Sequence, residues 1–166
     1  LDLGRELKNV IYMFSGVGCG IIINGEVYTG AHGYAGEISI DNYQERDLFN
    51  CKLGNGCFLK RWEIDLGITQ EAKAAWGKEA DLKSVFSAAQ QGDAIAGKIL
   101  SAAAKRLGIK IAYLVNLLNP EVVVIGGGLE EAGEEFLNKV SATVKDWAFR
   151  EATGDLKIIF SRLREN

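Results

Sequence analysis

Short apolar runs separated by glycine-rich turns begin the chain, and longer helical patterns follow them. The apolar residues 9–14 (NVIYMF) include several β-forming side chains and predict a first strand. Residues 17–23 and 26–28 predict two more strands, because the Asn24-Gly25 pair between them is the strongest short signal for a β-hairpin. The opening of the chain therefore predicts an antiparallel meander of three strands.

Capping residues and helical periodicity predict three helices in the middle of the chain. Thr69, Asp81 and Asp93 each stand at the start of an apolar pattern with helical spacing, and their side-chain oxygens suit the N-cap position. The pair Asn119-Pro120 ends the third pattern, because the residue before a proline disfavours helical backbone. The predicted helices span residues 69–76, 82–90 and 93–118.

The last part of the chain alternates strands with a helix. Residues 121–125 (EVVVI) predict a buried strand, and a turn at residues 126–128 (GGG) leads into a helix at 130–149. Residues 156–160 predict a final strand. The order of three strands, helices, strand, helix and strand indicates an α/β fold in which helices cover a mixed sheet.

Composition and charge limit the classes of function. The 166 residues, 48% of them hydrophobic, suit one globular domain spanning residues 1–166. A net charge of −3, with no Lys/Arg run longer than two residues, disfavours nucleic-acid binding by this segment itself. No window approaches the roughly 18 apolar residues of a membrane span, and the start lacks the apolar core of a signal peptide. With three cysteines and no disulfide pattern, we expect a cytoplasmic protein with no membrane partner.

Two glycine-rich turns are candidates for loops that hold a phosphate or a nucleotide. In the first turn, a phosphate or sugar cradle explains the glycines, and so does a β-bulge or a tightly packed strand. The second turn lies between a strand and a helix, where open α/β sheets bind ligands, although a tight turn explains it as well. The glycines concerned are Gly16, Gly18, Gly20, Gly126, Gly127 and Gly128.

Two residues of the loop GAHGYAGE are candidates for contact with a polyhydroxylated ligand. Glu37 is a lone carboxylate on this glycine-rich loop, and a carboxylate accepts hydrogen bonds from hydroxyl groups. His32 either contacts a ligand or is a solvated loop histidine. The loop therefore suggests a sugar-like ligand, with Glu37 as the principal contact.

The three motif segments, taken in chain order, resemble those of the ROK family. GVGCGIIINGEVYTGAHGYAGEISI, CKLGNGC and NPEVVVIGGGLEEAGEEF are similar to the family forms GTGIGAGIIINGxLYxGAHGxAGEIGH, CxCGxxGCxE and NPExVVIGGG. That family unites bacterial repressors, open reading frames and sugar kinases. Its members have a ribonuclease-H-like, actin-like fold of two α/β lobes with a cleft between them.

The resemblance implies that residues 1–166 are the C-terminal lobe of such a protein. The family's N-terminal lobe, with its DxGxT phosphate loop and its catalytic aspartate, is then missing from this chain, as is the DNA-binding head of repressor members. We therefore expect no catalytic residue among these 166 residues.

Departures from the family pattern change the sugar site. On the resemblance, Glu37 is the family's acceptor for sugar hydroxyls, whereas Ile40 and Leu59 replace a histidine and a glutamate that also contact sugar. An aliphatic group leaves a sugar hydroxyl unpaired at a cost of about 1–3 kcal/mol. Two such replacements weaken a standard hexose site by roughly two orders of magnitude.

The same comparison removes the family's structural zinc. Ile40 and Leu53 replace two of the four ligands, which leaves Cys51 and Cys57 as vestiges of the site. Two ligands do not hold a tetrahedral structural zinc. The sequence therefore predicts no metal site and no cofactor.

Two residues before the first glycine turn bear on phosphate binding. Ser15 stands where kinases of the family have a phosphate-contacting threonine, and it keeps a hydroxyl. Phe14 replaces a glycine, and we expect its ring to crowd an incoming phosphate.

Three functional hypotheses follow from these residues. The leading one is the effector-binding and oligomerisation lobe of a sugar-responsive transcriptional regulator, which binds a carbohydrate through Glu37 and His32, forms a homo-oligomer, and reaches DNA only through a missing N-terminal head. The first alternative is the C-terminal half of an ATP-dependent sugar kinase with an altered substrate. The second is an interaction module with a decayed pocket. The departures disfavour efficient hexokinase chemistry, so we expect a role other than catalysis.

Overall fold

A five-stranded mixed sheet organises the chain. The computed structural model describes residues 7–15, 18–38 and 64–162. The strands are β1 (Val10–Phe14), β2 (Gly18–Ile23), β3 (Glu26–Val27), β4 (Val122–Gly126) and β5 (Lys157–Phe160). Their order in the sheet is β3-β2-β1-β4-β5, in which β1, β2 and β3 pair antiparallel and β4 pairs parallel with both β1 and β5. Each observed strand boundary lies within one residue of the predicted one.

The parallel pair of β1 and β4 forms the centre of the sheet. Ile11 pairs with Val123, and Met13 pairs with Ile125. Because side chains alternate along a strand, these four residues lie on the same face of the sheet. Each is at most 1% exposed, so this face carries the hydrophobic core.

Glu121 holds the beginning of this parallel pair. Its carboxylate accepts hydrogen bonds from the backbone N–H groups of Lys8 and Asn9, at 2.8 and 2.9 Å. Its own backbone N–H donates to the carbonyl oxygen of Asn9 at 2.8 Å. A residue at the start of β4 thus bonds to the chain just before β1.

Helices cover the core face of the sheet. The longest helix is buried along most of one side, and the Arg106 guanidinium links it to Glu71 of the first helix at 2.6 Å. Within the described ranges, no helix is both long enough and apolar enough to cross a membrane. The helices are α1 (Ile64–Trp76), α2 (Leu82–Gln90), α3 (Ala94–Leu118), α4 (Glu134–Trp147) and α5 (Arg150–Thr153), with a 3₁₀ helix at Leu129–Ala132. The α/β fold predicted from the sequence is confirmed.

The predicted caps of α2 and α3 are confirmed. The Asp81 carboxylate accepts from the backbone N–H of Ser84 at 2.7 Å, and the Ser84 hydroxyl accepts from the N–H of Asp81. The Asp93 carboxylate accepts from the N–H groups of Ile95 and Ala96. Such caps satisfy the donors that the first turn of a helix leaves without partners.

The predicted start of the first helix is wrong. Thr69 does not cap α1, since the helix begins at Ile64 and Thr69 lies within it, where its hydroxyl donates to the carbonyl oxygen of Leu66. Asp65 belongs to the first turn of this helix. Ile64 and Ile68 belong to the apolar stripe of the helix. The sequence pattern did not show this earlier start, because the segment that precedes these residues has no clear periodicity.

The predicted helix at 130–149 is divided in two. Gly133 has φ +86°, a backbone conformation that glycine adopts without strain. This turn separates the 3₁₀ helix from α4, so Glu130 lies outside the α-helix to which the sequence pattern assigned it. The helix also ends at Trp147, because Ala148 is extended.

Helices α3 and α4 approach each other closely at Gly108. A Cβ atom on Gly108 would lie 2.6 Å from Cβ of Thr143 and 3.0 Å from the carbonyl oxygen of Val140. Real Cβ atoms do not approach other atoms so closely, so the absence of a side chain at Gly108 sets the spacing of the two helices. Gly97, on the same helix, has open space around the corresponding position.

We predict opposite effects of alanine at these two glycines. Gly108→Ala should lower the free energy of unfolding by about 1–3 kcal/mol, because overpacking outweighs the better helix propensity of alanine. Gly97→Ala should raise it by about 0.5–1 kcal/mol, because only the propensity changes. Urea unfolding of both variants beside the unmodified chain measures the difference. Equal effects at the two positions would contradict the close contact.

Candidate functional site

Backbone pairing at one end of the sheet brings three predicted site residues into a row. Gly126 of β4 pairs with Phe14 of β1, Phe14 pairs with Gly18 of β2, and Gly18 forms an isolated antiparallel bridge with Glu37. The parallel strands β1 and β4 both end here, and ligands of open α/β sheets bind beyond the carboxyl ends of parallel strands. Residues distant in the sequence therefore meet where this fold class binds ligands.

Ser15 joins the two glycine turns. Its backbone N–H donates to the carbonyl oxygen of Gly126 at 3.2 Å, and its hydroxyl donates to the carbonyl oxygen of Gly127 at 2.7 Å. The residue is only 4% exposed and has φ +48°. A hydroxyl group has one proton to donate, and here that proton is directed at the chain itself. To donate a hydrogen bond to a phosphate oxygen, this hydroxyl would first have to give up its hydrogen bond to the carbonyl oxygen of Gly127.

The carbonyl oxygen of Ser15 also positions α1. It accepts a hydrogen bond from the backbone N–H of Ile64 at 3.1 Å, and Ile64 is the first residue of that helix. Ser15 therefore contacts β4, the turn beyond it and the start of α1. This residue therefore organises the junction of strand, turn and helix.

Close packing explains the glycines at positions 126 and 127. A Cβ atom on Gly126 would lie 2.1 Å from Oη of Tyr12, and one on Gly127 would lie 2.5 Å from Oγ of Ser15. The Tyr12 hydroxyl is also 3.4 Å from Oγ of Ser161, just beyond β5. Sequence reasoning missed Tyr12 and Ser161, because no local pattern shows that they converge beside Gly126.

The glycines of β2 are not explained in the same way. A Cβ atom on Gly18 would lie 3.7 Å from the carbonyl oxygen of Gly36, and one on Gly20 would lie 3.7 Å from Cβ of Tyr12. Both distances are ordinary van der Waals contacts, so packing against the described residues does not demand glycine at either position. Their role in approaching a ligand stays a prediction. Gly16 lies outside the described residues.

The loop that carries Glu37 is held by backbone contacts. The N–H of Cys19 donates to the carbonyl oxygen of Gly36 at 2.8 Å, and Gly36 has φ +94°. A Cβ atom on Gly36 would lie 1.8 Å from the carbonyl oxygen of Cys19, so no other residue fits there. The side chains of Glu37 and His32 are both exposed, as contact with a ligand in a cleft requires. Their predicted roles in sugar binding stay predictions.

Glu37 acts electrostatically on the buried thiol of Cys19. The pKa of Cys19 is raised from 9.0 to about 11. Burial of the thiol is the larger cause, and the negative charge of Glu37 is the smaller one. The thiol therefore stays protonated at neutral pH and is a poor nucleophile.

The predicted zinc and second sugar positions cannot be compared with this geometry, because they lie outside the described residues. Among the residues that are described, no group of three or more His, Cys, Asp or Glu side chains is arranged to hold a metal ion. The predicted loss of the zinc site stays a prediction. The positions concerned are Ile40, Cys51, Leu53, Cys57 and Leu59.

We predict that the junction depends on the Ser15 hydroxyl. Ser15→Ala leaves the carbonyl oxygen of Gly127 without its donor in a buried place and should lower the free energy of unfolding by about 1–3 kcal/mol. Ser87→Ala, at an exposed position of α2, is the matched control and should change it by less than about 0.5 kcal/mol. Denaturant titration measures both. If Ser15→Ala lowers the free energy of unfolding no more than Ser87→Ala does, the hydrogen bond from Ser15 to Gly127 contributes little to stability.

We also predict slow, pH-dependent alkylation of Cys19. At pH 8 the raised pKa leaves about a hundredfold less thiolate than an ordinary cysteine has, and the rate should rise about tenfold per pH unit until it levels near pH 11. Iodoacetamide labelling followed by peptide mass spectrometry measures the rate at this residue, with the urea-unfolded chain as reference.

A carboxylate variant isolates the contribution of Glu37 to that rate. Glu37→Gln removes a negative charge that raises the pKa of Cys19, so labelling at pH 8 should become faster. Glu26→Gln, at another exposed acid of the same sheet, should leave the rate unchanged. Equal rates in both variants would contradict the interaction of Glu37 with Cys19.

Sequence relatives of the chain include both repressors and kinases. It is 29% identical to the xylose repressor of Caldicellulosiruptor bescii, over 96% of this chain and 44% of that protein. It is 33% identical to a glucokinase of Halalkalibacterium halodurans, over 87% of this chain and 49% of that protein. The chain therefore spans about half the length of the curated relatives that it matches.

Solved structures show the same fold. A ROK family transcriptional regulator, described as a homologue of the E. coli MLC protein, matches with a TM-score of 0.73 and 26% identity, over 97% of this chain and 43% of that one. A ROK family glucokinase from Streptomyces griseus, in complex with glucose and AMPPNP, matches with a TM-score of 0.73 and 23% identity, over 96% of this chain and 57% of that one. The predicted actin-like fold is confirmed. The model of the ROK family matches residues 3–166, and this chain therefore belongs to the ROK family.

Proposed function

We propose that this chain is the effector-binding and oligomerisation lobe of a sugar-responsive transcriptional regulator of the ROK family. The observation that carries the proposal is the engagement of Ser15, whose hydroxyl donates to the carbonyl oxygen of Gly127 at 2.7 Å in a buried position. This is the hydroxyl that the family resemblance aligns with a phosphate-contacting threonine of the kinases. A lobe in which that proton is committed to the chain suits ligand-coupled motion better than phosphoryl transfer.

The effector in this proposal is a carbohydrate bound between this lobe and the rest of the protein. Glu37 accepts hydroxyl protons, and the backbone bonds around Gly36 hold its loop in place. His32, on the same loop, supplies a second polar contact. Because Glu37 bridges to Gly18, a ligand that moves the loop also acts on the end of the sheet.

Self-association in this proposal uses the outer side of α3. Tyr113 and Leu117 lie one helical turn apart and are 51% and 62% exposed. Large apolar side chains on an outer helix face suit contact with the same face of a second copy. In this proposal, DNA is reached through an N-terminal head outside these 166 residues, and the similarity to proteins named as xylose repressors supports a regulatory role.

The alternative function is the C-terminal half of a sugar kinase. It is favoured by Gly18 and Gly20, where packing leaves ordinary space for a ligand to approach the backbone, and by the glucokinase relatives. In that case the full-length protein should release ADP only when a sugar is present.

We predict that Glu37 is required for the response to a sugar but not for DNA binding. In gel-shift titrations, promoter DNA bound by the full-length protein should be released by a carbohydrate. Glu37→Ala should raise the required sugar concentration about tenfold or more, which corresponds to the loss of one hydrogen bond to a charged group. Glu26→Ala, at an exposed acid of β3, is the matched control and should behave as the unmodified protein does.

Three results separate the hypotheses. DNA release by a sugar, with the required concentration raised about tenfold or more in Glu37→Ala, supports the regulator. Sugar-dependent ADP release in a coupled assay contradicts it and supports the kinase. If the protein neither binds DNA nor releases ADP, the result supports an interaction module.

A further inference from the structure

Backbone hydrogen bonds close the loop that leads to Glu37. The N–H of Ala35 donates to the carbonyl oxygen of Thr29 at 3.1 Å, which draws the two ends of the loop together. A Cβ atom on Gly30 would lie 3.3 Å from Cβ of Ala35, so these ends are also in close contact. The N–H of Glu37 donates to the carbonyl oxygen of Tyr34 at 3.3 Å, which closes a four-residue turn. The backbone of this 34–37 turn is therefore held on both sides.

The 34–37 turn is also fixed to the end of the sheet. Gly36, its third residue, has φ +94°, and the third position of a type II turn requires such a positive φ. The carbonyl oxygen of Gly36 accepts from the N–H of Cys19, and Glu37 forms its bridge with Gly18. Two consecutive positions of β2 thus hold the turn, which presents its side chains from a fixed backbone.

An aromatic ring and a carboxylate lie at the two ends of this turn. Tyr34 is its first residue and Glu37 its last, and the α carbons of such a pair lie within about 7 Å of each other. Both side chains are exposed, that of Tyr34 to 76%. The ring of Tyr34 is therefore accessible to a ligand that reaches the carboxylate of Glu37.

This pair matches the two kinds of surface on a pyranose. A sugar ring with equatorial hydroxyls has C–H bonds on its faces and hydroxyl groups around its edge. The C–H bonds carry partial positive charge and suit the negative face of an aromatic ring, whereas the hydroxyls donate to a carboxylate. A tyrosine on a fixed backbone has few torsions to order, so holding Tyr34 against a ligand costs little conformational entropy.

We propose that Tyr34 is a specificity-determining residue of the effector site, whose ring stacks on the C–H face of a pyranose while the sugar hydroxyls donate to Glu37. The identity of the ligand as a sugar effector rests on the proposed regulatory function. The pair selects a cyclic sugar over an open-chain polyol, because the polyol offers similar hydroxyls without a flat C–H face.

Calorimetric titration of the full-length protein tests the stacking. The probes are xylose, glucose and N-acetylglucosamine, with xylitol and sorbitol as the open-chain counterparts of the first two. Tyr34→Ala should weaken pyranose binding about tenfold, and Tyr34→Phe, which keeps the ring, by less than about threefold. Tyr34→Ala should also bring each pyranose and its polyol closer in affinity, a change that a merely structural role of the residue would not produce.

A second exposed tyrosine provides the matched control. Tyr28 follows β3 in the same hairpin and is 53% exposed, but it lies outside the 34–37 turn. Tyr28→Ala should therefore bind each sugar as the unmodified protein does. Thermal unfolding of all three variants checks that each one is folded.

Several results would overturn the proposal. Equal sugar affinities of Tyr34→Ala and Tyr28→Ala would mean that the ring does not contact the sugar. A loss in Tyr34→Phe as large as that in Tyr34→Ala would assign the contact to the tyrosine hydroxyl instead of to stacking. Binding of none of the three sugars would remove the effector assignment and the role of Tyr34 together.

Release of promoter DNA by the same sugars separates this proposal from the regulatory function. Sugar binding that depends on Tyr34 but releases no DNA supports the stacking and contradicts the regulator. DNA release that needs the same sugar concentration in Tyr34→Ala as in the unmodified protein supports the regulator and contradicts the stacking.

Discussion

The parallel pairing of β1 with β4 is the contact on which the rest of the described structure depends. The two strands are 112 residues apart along the chain at their paired positions, so closing them against each other carries the largest loop cost in the sheet. Side chains at both ends hold the pair: Glu121 bonds to the backbone before β1, and Ser15 bonds to the backbone after β4. The antiparallel hairpin extends one side of this pair, β5 extends the other, and the core face that the pair creates is what α3 and α4 cover.

Much of this fold is present in the local sequence. The local sequence alone predicts several features. They are the Asn24-Gly25 turn, the capping residues Asp81 and Asp93, and the strand before residues 126–128. The start of α1 is different, because the hydrogen bond that places Ile64 comes from Ser15, 49 positions earlier (64 − 15). The division of the last helix depended on one backbone angle at Gly133, and a glycine in a helical pattern does not reveal its φ in advance.

The candidate site shows a sharper limit of sequence reasoning. Gly18, Gly20, Gly126 and Gly127 look alike in the sequence, yet only the last two stand against atoms that exclude a side chain. Tyr12 and Ser15 are the causes, and both act across strand pairings that no local pattern encodes. Glu37 is an exposed carboxylate at the end of the sheet, and its glycine-flanked loop is visible in the local sequence, while its contact with a sugar stays a prediction. The family resemblance identified which positions differ from the common pattern, and the structure adds what Phe14 and Ser15 contact instead.

The contact at Gly108 has a consequence for how this lobe moves. With Thr143 and the carbonyl oxygen of Val140 directly against the bare α carbon, α3 has no clearance to slide along α4 without lifting away from it. We therefore expect the two helices to move as one unit on the sheet. Sliding of packed helices past one another is a shear, whereas rotation of intact units about a few connecting residues is a hinge. We therefore expect any rearrangement of this unit to be of the hinge kind, in which the sheet and its helical layer turn together and the connecting backbone bends.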